Sequence, residues 1–273
     1  RFVETLRSLG YGVSKWSNIN NKHVNEVVDY WREEKDLAVS TVKEYLSGVR
    51  AVAESWGNTK IAGDNARFSL GERSYINQGD KSVPQEVYTQ AVESLRNGDQ
   101  YQQRVAFQLE FQRELGLRHE ESRKINPIRD YIPHYGKIML SAGTKGGRER
   151  SFELNDRQKD LLNRAIQSKL YRNASEGIIP AKWTERQWEG YTYRQAREAG
   201  IGKAQCGASL HGLRHARAHE IYKQISGFSP PCMFANKDDF WREAKMASGS
   251  IESVKELEAR ARAEVCRQFG HSP

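Results

Sequence analysis

No stretch of the 273-residue chain approaches the roughly 18 consecutive apolar residues that a membrane-spanning helix needs, so no membrane span is expected. Cysteine is scarce. Cys206, Cys232 and Cys266 are odd in number and widely spaced, which suits a reducing cytosol and shows no metal-ligand pattern. The chain has no internal repeat and no low-complexity tract. Its first residues, Arg1-Phe2-Val3-Glu4, include neither the apolar core of a secretory signal nor an initiator Met, so the expectation is an internal segment of a longer protein. Acidic residues form no metal-binding cluster. His211, His215 and His219 recur every fourth residue, but no Cys or acidic partner stands at a recognised zinc spacing. Neither a metal nor another cofactor is expected.

Charge and core-forming residues are abundant. Hydrophobic residues make up 37% and aromatic residues 10%, enough for real cores, in a length that allows one large domain or two ordinary ones. Lys and Arg number 43 against 35 Asp and Glu, a formal net charge of +8. The excess is unevenly placed. Residues 1–80 carry 11 basic and 11 acidic residues, whereas residues 81–273 carry 32 and 24. A polyanionic partner would therefore meet mainly the second part. A basic enzyme without such a partner has the same bulk charge.

Hydrophobic periodicity divides the chain in the same place. Residues 1–57 read as helices. Val24, Val27, Val28 and Trp31 share one face, with Asn20 or Asn21 as its cap, and Val42, Tyr45, Leu46, Val49, Val52 and Ala53 form a second stripe. Polar, glycine-containing sequence over 58–80 reads as a linker. Helices are expected over about 84–97, 99–115, 156–171, 184–199, 211–225 and 251–268. Between 122 and 150 the texture changes to short strand-like pieces, Tyr131-Ile132-Pro133 and Lys137-Ile138-Met139-Leu140. A Gly-rich turn then leads into Glu149-Arg150-Ser151-Phe152-Glu153-Leu154. Residues 227–250 read as irregular. The fold expected is mainly α with a small antiparallel β-sheet.

Two Gly-Leu-Arg triplets carry the chemistry. One lies in Gly116-Leu117-Arg118-His119-Glu120-Glu121, the other in His211-Gly212-Leu213-Arg214-His215. Arginine presents a planar fork of donors that stays charged, which suits it to a phosphate. His211 and Arg214, three apart at a helix start, point the same way, and the helix end adds free N–H groups. Lys145 stands at a hairpin tip, Gly143-Thr144-Lys145-Gly146-Gly147, where it could reach a groove or a leaving oxygen. Taken singly, each is also what a solvated charged turn or a capped surface helix looks like.

In order and spacing, these elements together with Phe269-Gly270-His271 resemble the tyrosine recombinases, the phage-type integrases, and in particular the integrase-like proteins of bacteria and mobile elements. The likeness covers the whole chain. It implies a helical core-binding (SAM-like) DNA-binding domain with its linker over 1–80 and a catalytic domain over 81–273. The function it implies is site-specific DNA recombination through a 3′-phosphotyrosyl intermediate, without cofactor, in the bacterial cytoplasm at the nucleoid. Arg118 and Arg214 would hold the non-bridging oxygens, with His211 and His271 adding hydrogen bonds. Lys145 would protonate the leaving 5′-oxygen, and Glu121 would orient Arg118 or a neighbouring His. Lys15, Lys22, Lys43 and Arg50 in the first domain, with Arg148, Arg150 and His215 in the second, are the expected further DNA contacts. The partner implied is double-stranded DNA, held by a homo-tetramer whose subunits are monomeric when free. In the family the nucleophilic Tyr follows the last box. The chain as given stops at Pro273, so that Tyr is expected beyond it. Two other readings stay open: a catalytically inactive DNA-binding regulator of the same fold, and an unrelated basic nuclease.

Overall fold

A computed structural model describes residues 1–71, 79–171 and 177–270. The chain divides into two compact units, Arg1–Asn77 and Gln78–Pro273.

Among the described residues the first unit holds three α-helices, α1 (Phe2–Ser8), α2 (Asn21–Glu33) and α3 (Val39–Ser55). Asn20 starts α2 through a capping box: its side chain accepts from the backbone N–H groups of Lys22 and His23, while the His23 ring accepts from the Asn20 N–H. The apolar stripes of α2 and α3 face each other, so Val24, Val27, Val28, Val42 and Leu46 are all buried. Each such side chain contributes roughly 1.5–3 kcal/mol on burial. The linker reading of 58–80 needs correction in its first half. Phe68 and Leu70 are buried in this same core. Asn58, itself buried, donates to the carbonyls of Trp16 and Ile19 at 2.6 and 2.8 Å. Residues 58–71 therefore belong to the first unit, and residues 72–78 of the expected linker lie outside the described residues.

The second unit runs α4 (Gln85–Arg96), α5 (Gln100–Glu114), two short helices α6 (His119–Lys124) and α7 (Pro127–Asp130), then strands β1 (Tyr131–Ile132), β2 (Lys137–Leu140) and β3 (Arg150–Glu153). The sheet is antiparallel in the order β1-β2-β3, with Ile138 opposite both Tyr131 and Phe152. After it come α8 (Asp156–Gln167), α9 (Glu185–Glu198), α10 (Lys203–Cys206), α11 (His211–Ser226), α12 (Lys237–Ser248) and α13 (Ile251–Phe269). α5 is central. It is buried on nearly all sides and packs against α4, α6, α8, α9 and α11. Residues 227–250 are not irregular throughout, because α12 occupies half of them. Asn236 caps it, and Phe240 and Ala244, four residues apart, bury its inner face. Among the described residues no helix is long and apolar enough to cross a membrane.

Candidate active site

The first Gly-Leu-Arg triplet turns the chain from α5 into α6. Gly116 has φ +66°, and a Cβ there would lie 2.7 Å from the Phe269 ring, so both conformation and space demand glycine. Leu117, fully buried, pins the turn. Arg118 then stands at the N-cap of α6. Its backbone N–H donates to Glu121 Oε2 at 2.7 Å and its Nη1 to Glu121 Oε1 at 2.8 Å. Glu121 thus caps the helix and holds the Arg118 fork at once.

Glu121 is inaccessible to solvent and serves two further guanidinium groups. Arg150, from the start of β3, donates Nη1 to Oε1 at 2.6 Å and Nη2 to Oε2 at 2.7 Å. Arg214 brings Nη1 within 3.8 Å of Oε2. Burial alone would raise the pKa of Glu121. The bonds from Arg150, followed by those from Arg118, hold it at about 2. One carboxylate faces three guanidinium groups, so the cluster is a net cation.

The second triplet opens α11. A Cβ on Gly212 would lie 2.5 Å from the Lys81 carbonyl oxygen, and the Val83 N–H donates to the Gly212 carbonyl at 3.1 Å. Arg214 is buried. It donates Nη1 to the Gly116 carbonyl and Nη2 to the Phe269 carbonyl at 3.0 Å, with its guanidinium 4.1 Å from the centroid of the Phe269 ring. Burial, then Arg118, lowers its pKa to about 9, which leaves it a cation at neutral pH. His211 sits at the exposed rim, edge-on to His215 with ring centroids 4.8 Å apart. Partial burial, then Arg214 and Arg118, lowers the pKa of His211, so a neutral imidazole stands beside the two cations.

The hairpin and the end of α13 close on the same place. Gly143 packs against the first turn of α6, where a Cβ would lie 3.0 Å from the Glu120 carbonyl oxygen. The loop that follows carries Lys145 in its backbone and turns through Gly146 and Gly147, with φ +71° and +69°. The Lys145 side chain lies outside the described residues, as does His271. Gly270, which caps α13, packs against Arg150, its Cβ position lying 3.1 Å from Arg150 Cδ.

Arg118, Glu121, His211 and Arg214, separate in sequence, therefore converge. The remaining candidates divide. Arg148 is exposed on the hairpin, and Lys15 and Lys22 are exposed in the first unit, where Lys43 is half-buried. His215 is half-buried beside His211. Its own burial, then His211 and His219, brings its pKa down to about 4. Two of the expected DNA contacts spend their donors within the protein. The Arg150 side chain is only 7% exposed and both its terminal nitrogens bind Glu121. Arg50 donates Nε to the Ala62 carbonyl at 2.9 Å and Nη1 to Asn65 Oδ1 at 3.0 Å, with its guanidinium 5.6 Å from the Phe68 ring centroid, so it braces its own unit. Sequence reasoning also missed Phe269 as the cover of Arg214. Among the described residues no group of three or more His, Cys, Asp or Glu is placed to hold a metal ion.

The family model described as "Integrase" matches residues 71–220, more than half of the chain and the span that holds Arg118, Lys145, His211 and Arg214. The chain belongs to the integrase family, the tyrosine recombinases. No curated protein matches the sequence. Among solved structures, the fold is similar to the Tn1549 transposon integrase in complex with transposon right-end DNA, with TM-score 0.57 and 12% identity over 97% of this chain and 90% of that one. It is similar to the XerH site-specific recombinase in a post-cleavage complex with its palindromic difH substrate, with TM-score 0.53 and 16% identity over 97% and 75%. It is also similar to a lambda integrase dimer bound to a COC′ core site, with TM-score 0.52 and 14% identity over 94% and 86%. At these identities the likeness is one of fold.

Proposed function

We propose that this integrase cuts and rejoins double-stranded DNA at specific sites through a 3′-phosphotyrosyl link. The observation that carries the reading is the convergence of Arg118, Arg150 and Arg214 on the single buried carboxylate of Glu121, with the His211 imidazole at the rim. Such a site has excess positive charge held in fixed geometry, which stabilises the charge that develops on a phosphate as it becomes five-coordinate. In this reading Arg118, the most exposed of the three guanidinium groups at 23%, faces a non-bridging oxygen. Arg214 sets the field beneath it and closes on the phosphate from below. His211, neutral near pH 7, donates one N–H. A tyrosine phenolate forms the new bond to phosphorus while the P–O5′ bond breaks, and Lys145 gives its proton to the departing 5′-oxygen. The 5′-hydroxyl of a partner strand then reverses that step, so the phosphodiester energy is conserved. His271 adds a hydrogen bond to the phosphate. Residues 1–80 act as the core-binding DNA domain and residues 81–273 as the catalytic domain, with the active assembly a tetramer on DNA.

The test is a nicked suicide duplex incubated with protein expressed from the complete reading frame, in chelator, and run on a denaturing gel. A protein-linked DNA band supports the proposal. Binding without any covalent band would favour the inactive regulator, and metal-dependent hydrolysis without a band would favour a nuclease.

A further inference from the structure

The hairpin arginine that sequence places on the DNA is turned the other way. The geometry points to Arg150 as a positioning residue: by occupying both oxygens of Glu121, it keeps that carboxylate from drawing Arg118 and Arg214 off the phosphate. The inference rests on the proposed strand-transfer reading and adds to it a role for Arg150, which takes no step of its own in the mechanism above.

The argument starts from donors and acceptors. A carboxylate offers about four lone-pair sites. Arg150 fills two of them, one on each oxygen, at 2.6 and 2.7 Å. Arg118 fills the others with its backbone N–H and a single guanidinium nitrogen, Nη1. Arg214 is left at 3.8 Å, beyond hydrogen-bond distance, and spends donors on the Gly116 and Phe269 carbonyls. Arg118 therefore gives Glu121 one edge of its guanidinium and stays 23% exposed, whereas Arg150 and Arg214 are 7% and 4% exposed. Without Arg150, two lone-pair sites of a buried anion would be vacant. The guanidinium groups left beside it are that of Arg118, already bonded through Nη1, and that of Arg214, whose Nη1 stands 3.8 Å from Oε2. A buried, unsatisfied carboxylate takes such donors strongly. Both forks would turn inward, and the charge meant for the phosphate would be neutralised by Glu121.

Arg150 is also built in from behind. It sits on the face of β3 that Phe152 buries, since alternate strand residues share a face. Gly270 packs against its Cδ, where a side chain would lie 3.1 Å away. The hairpin base, β3 and the end of α13 thus set the position of the bidentate pair, and the pair sets Arg118.

A single-turnover suicide-substrate assay on the full-length protein separates this role from DNA contact, because its concentration dependence gives the maximal cleavage rate and the half-saturating DNA concentration separately. For Arg150→Met the maximal rate should fall about 30- to 100-fold, the scale of an ångström-level misplacement of a catalytic group. DNA affinity should stay within about threefold, and the slope of log K against log salt should not change, since each lost phosphate contact would reduce it by about 0.9. Arg150→Lys, which keeps the charge and one donor, should recover part of the rate. Glu121→Gln/Arg150→Met should be no slower than the slower of its two single variants. If Arg150→Met does not fold, Arg150→Lys carries the same comparison. An unchanged maximal rate in a folded variant overturns the inference, and so does a lost affinity with a shallower salt slope. If the wild-type protein forms no adduct, the strand-transfer reading itself fails, which is a separate result.

Discussion

Gly116→Ala should destabilise the second unit by roughly 2–5 kcal/mol. The value is a sum of two effects at one atom. The residue has φ +66°, where an alanine carries roughly 1–2 kcal/mol of left-handed strain. Its Cβ would also lie 2.7 and 3.0 Å from two ring atoms of Phe269. That ring cannot simply swing aside, because it is buried, covers the Arg214 guanidinium at 4.1 Å, and belongs to the residue whose carbonyl accepts from Arg214. Overpacking of this kind costs roughly 1–3 kcal/mol. For a unit of this size a loss of 1 kcal/mol lowers Tm by about 2–4 °C, so calorimetry should show the transition down by roughly 4–20 °C. Gly190→Ala is the control. Gly190 lies in α9 with nothing within 4 Å of its Cβ position, and the substitution should be neutral or stabilising by up to about 1 kcal/mol. A loss for Gly116→Ala under about 0.5 kcal/mol, the range of an ordinary surface change, would refute the reasoning, because turn and ring would then adapt freely.

Acid should unfold the protein in two windows. Burial, then Arg123, holds His119 at about 4, and burial, then His211, holds His215 there too, both below their ordinary 6.5. Their contribution is complete above about pH 6.5 and is lost as pH falls toward 4. That of Glu121, with its pKa at about 2, is lost between about 4.5 and 2, since the unfolded chain binds more protons in both ranges. Urea midpoints across this pH range check it, and His119→Gln should flatten the upper window. Arg118→Lys keeps a charge but loses the fork, so cleavage of the suicide duplex should fall by about 10²- to 10³-fold with little change in a gel-shift Kd. Equal loss of both would contradict its proposed role. Arg50→Ala removes two hydrogen bonds inside the first unit and should lower that unit's stability by roughly 1–3 kcal/mol while leaving the salt dependence of DNA binding unchanged. Lys22→Ala, at an exposed position, would show the opposite pattern if that face meets DNA.

Most of the helices were legible because their signals are local. Asn20, Asp99, Asn155 and Thr184 each begin a helix with a capping box, and the apolar stripes that follow have the right period. Helix α12 carries the same kind of signal, Asn236 before Asp238 and Asp239 with Phe240 and Ala244 behind, but the flanking Pro230-Pro231 and Ser248-Gly249-Ser250 favour an irregular reading. Residue types in the site were legible for a different reason: few side chains can grip a phosphate. Their partners were not, since Glu121 collects its cations from α6, β3 and α11. For Arg150 a usable signal existed. Phe152 and Leu154 are apolar at the second and fourth positions after it, which puts Arg150 on the inward face of β3. The charge-rich sequence of the hairpin tip outweighs that alternation until the strand is seen.

The two Gly-Leu-Arg triplets look alike in sequence, yet their glycines answer to different constraints. Gly116 turns the chain through a left-handed conformation and leaves room for the Phe269 ring. Gly212 is an ordinary residue of α11 in conformation, and its missing side chain admits the Lys81 carbonyl. Each is followed by a fully buried leucine, Leu117 and Leu213, that fixes the backbone from which the arginine extends. The arginines then differ in turn. One leaves a helix N-cap and reaches the rim, while the other rises from within a helix and is roofed by Phe269. A pair of equivalent clamps is therefore the wrong image. In the proposed reading Arg118 meets the incoming phosphate at the rim, and Arg214, besides its part beneath it, ties the α5–α6 turn to the end of α13, because two of its donors join the Gly116 and Phe269 carbonyls. Any movement of the chain at Phe269 must change what Arg214 binds, so the last box of the sequence and the first are mechanically linked through the second.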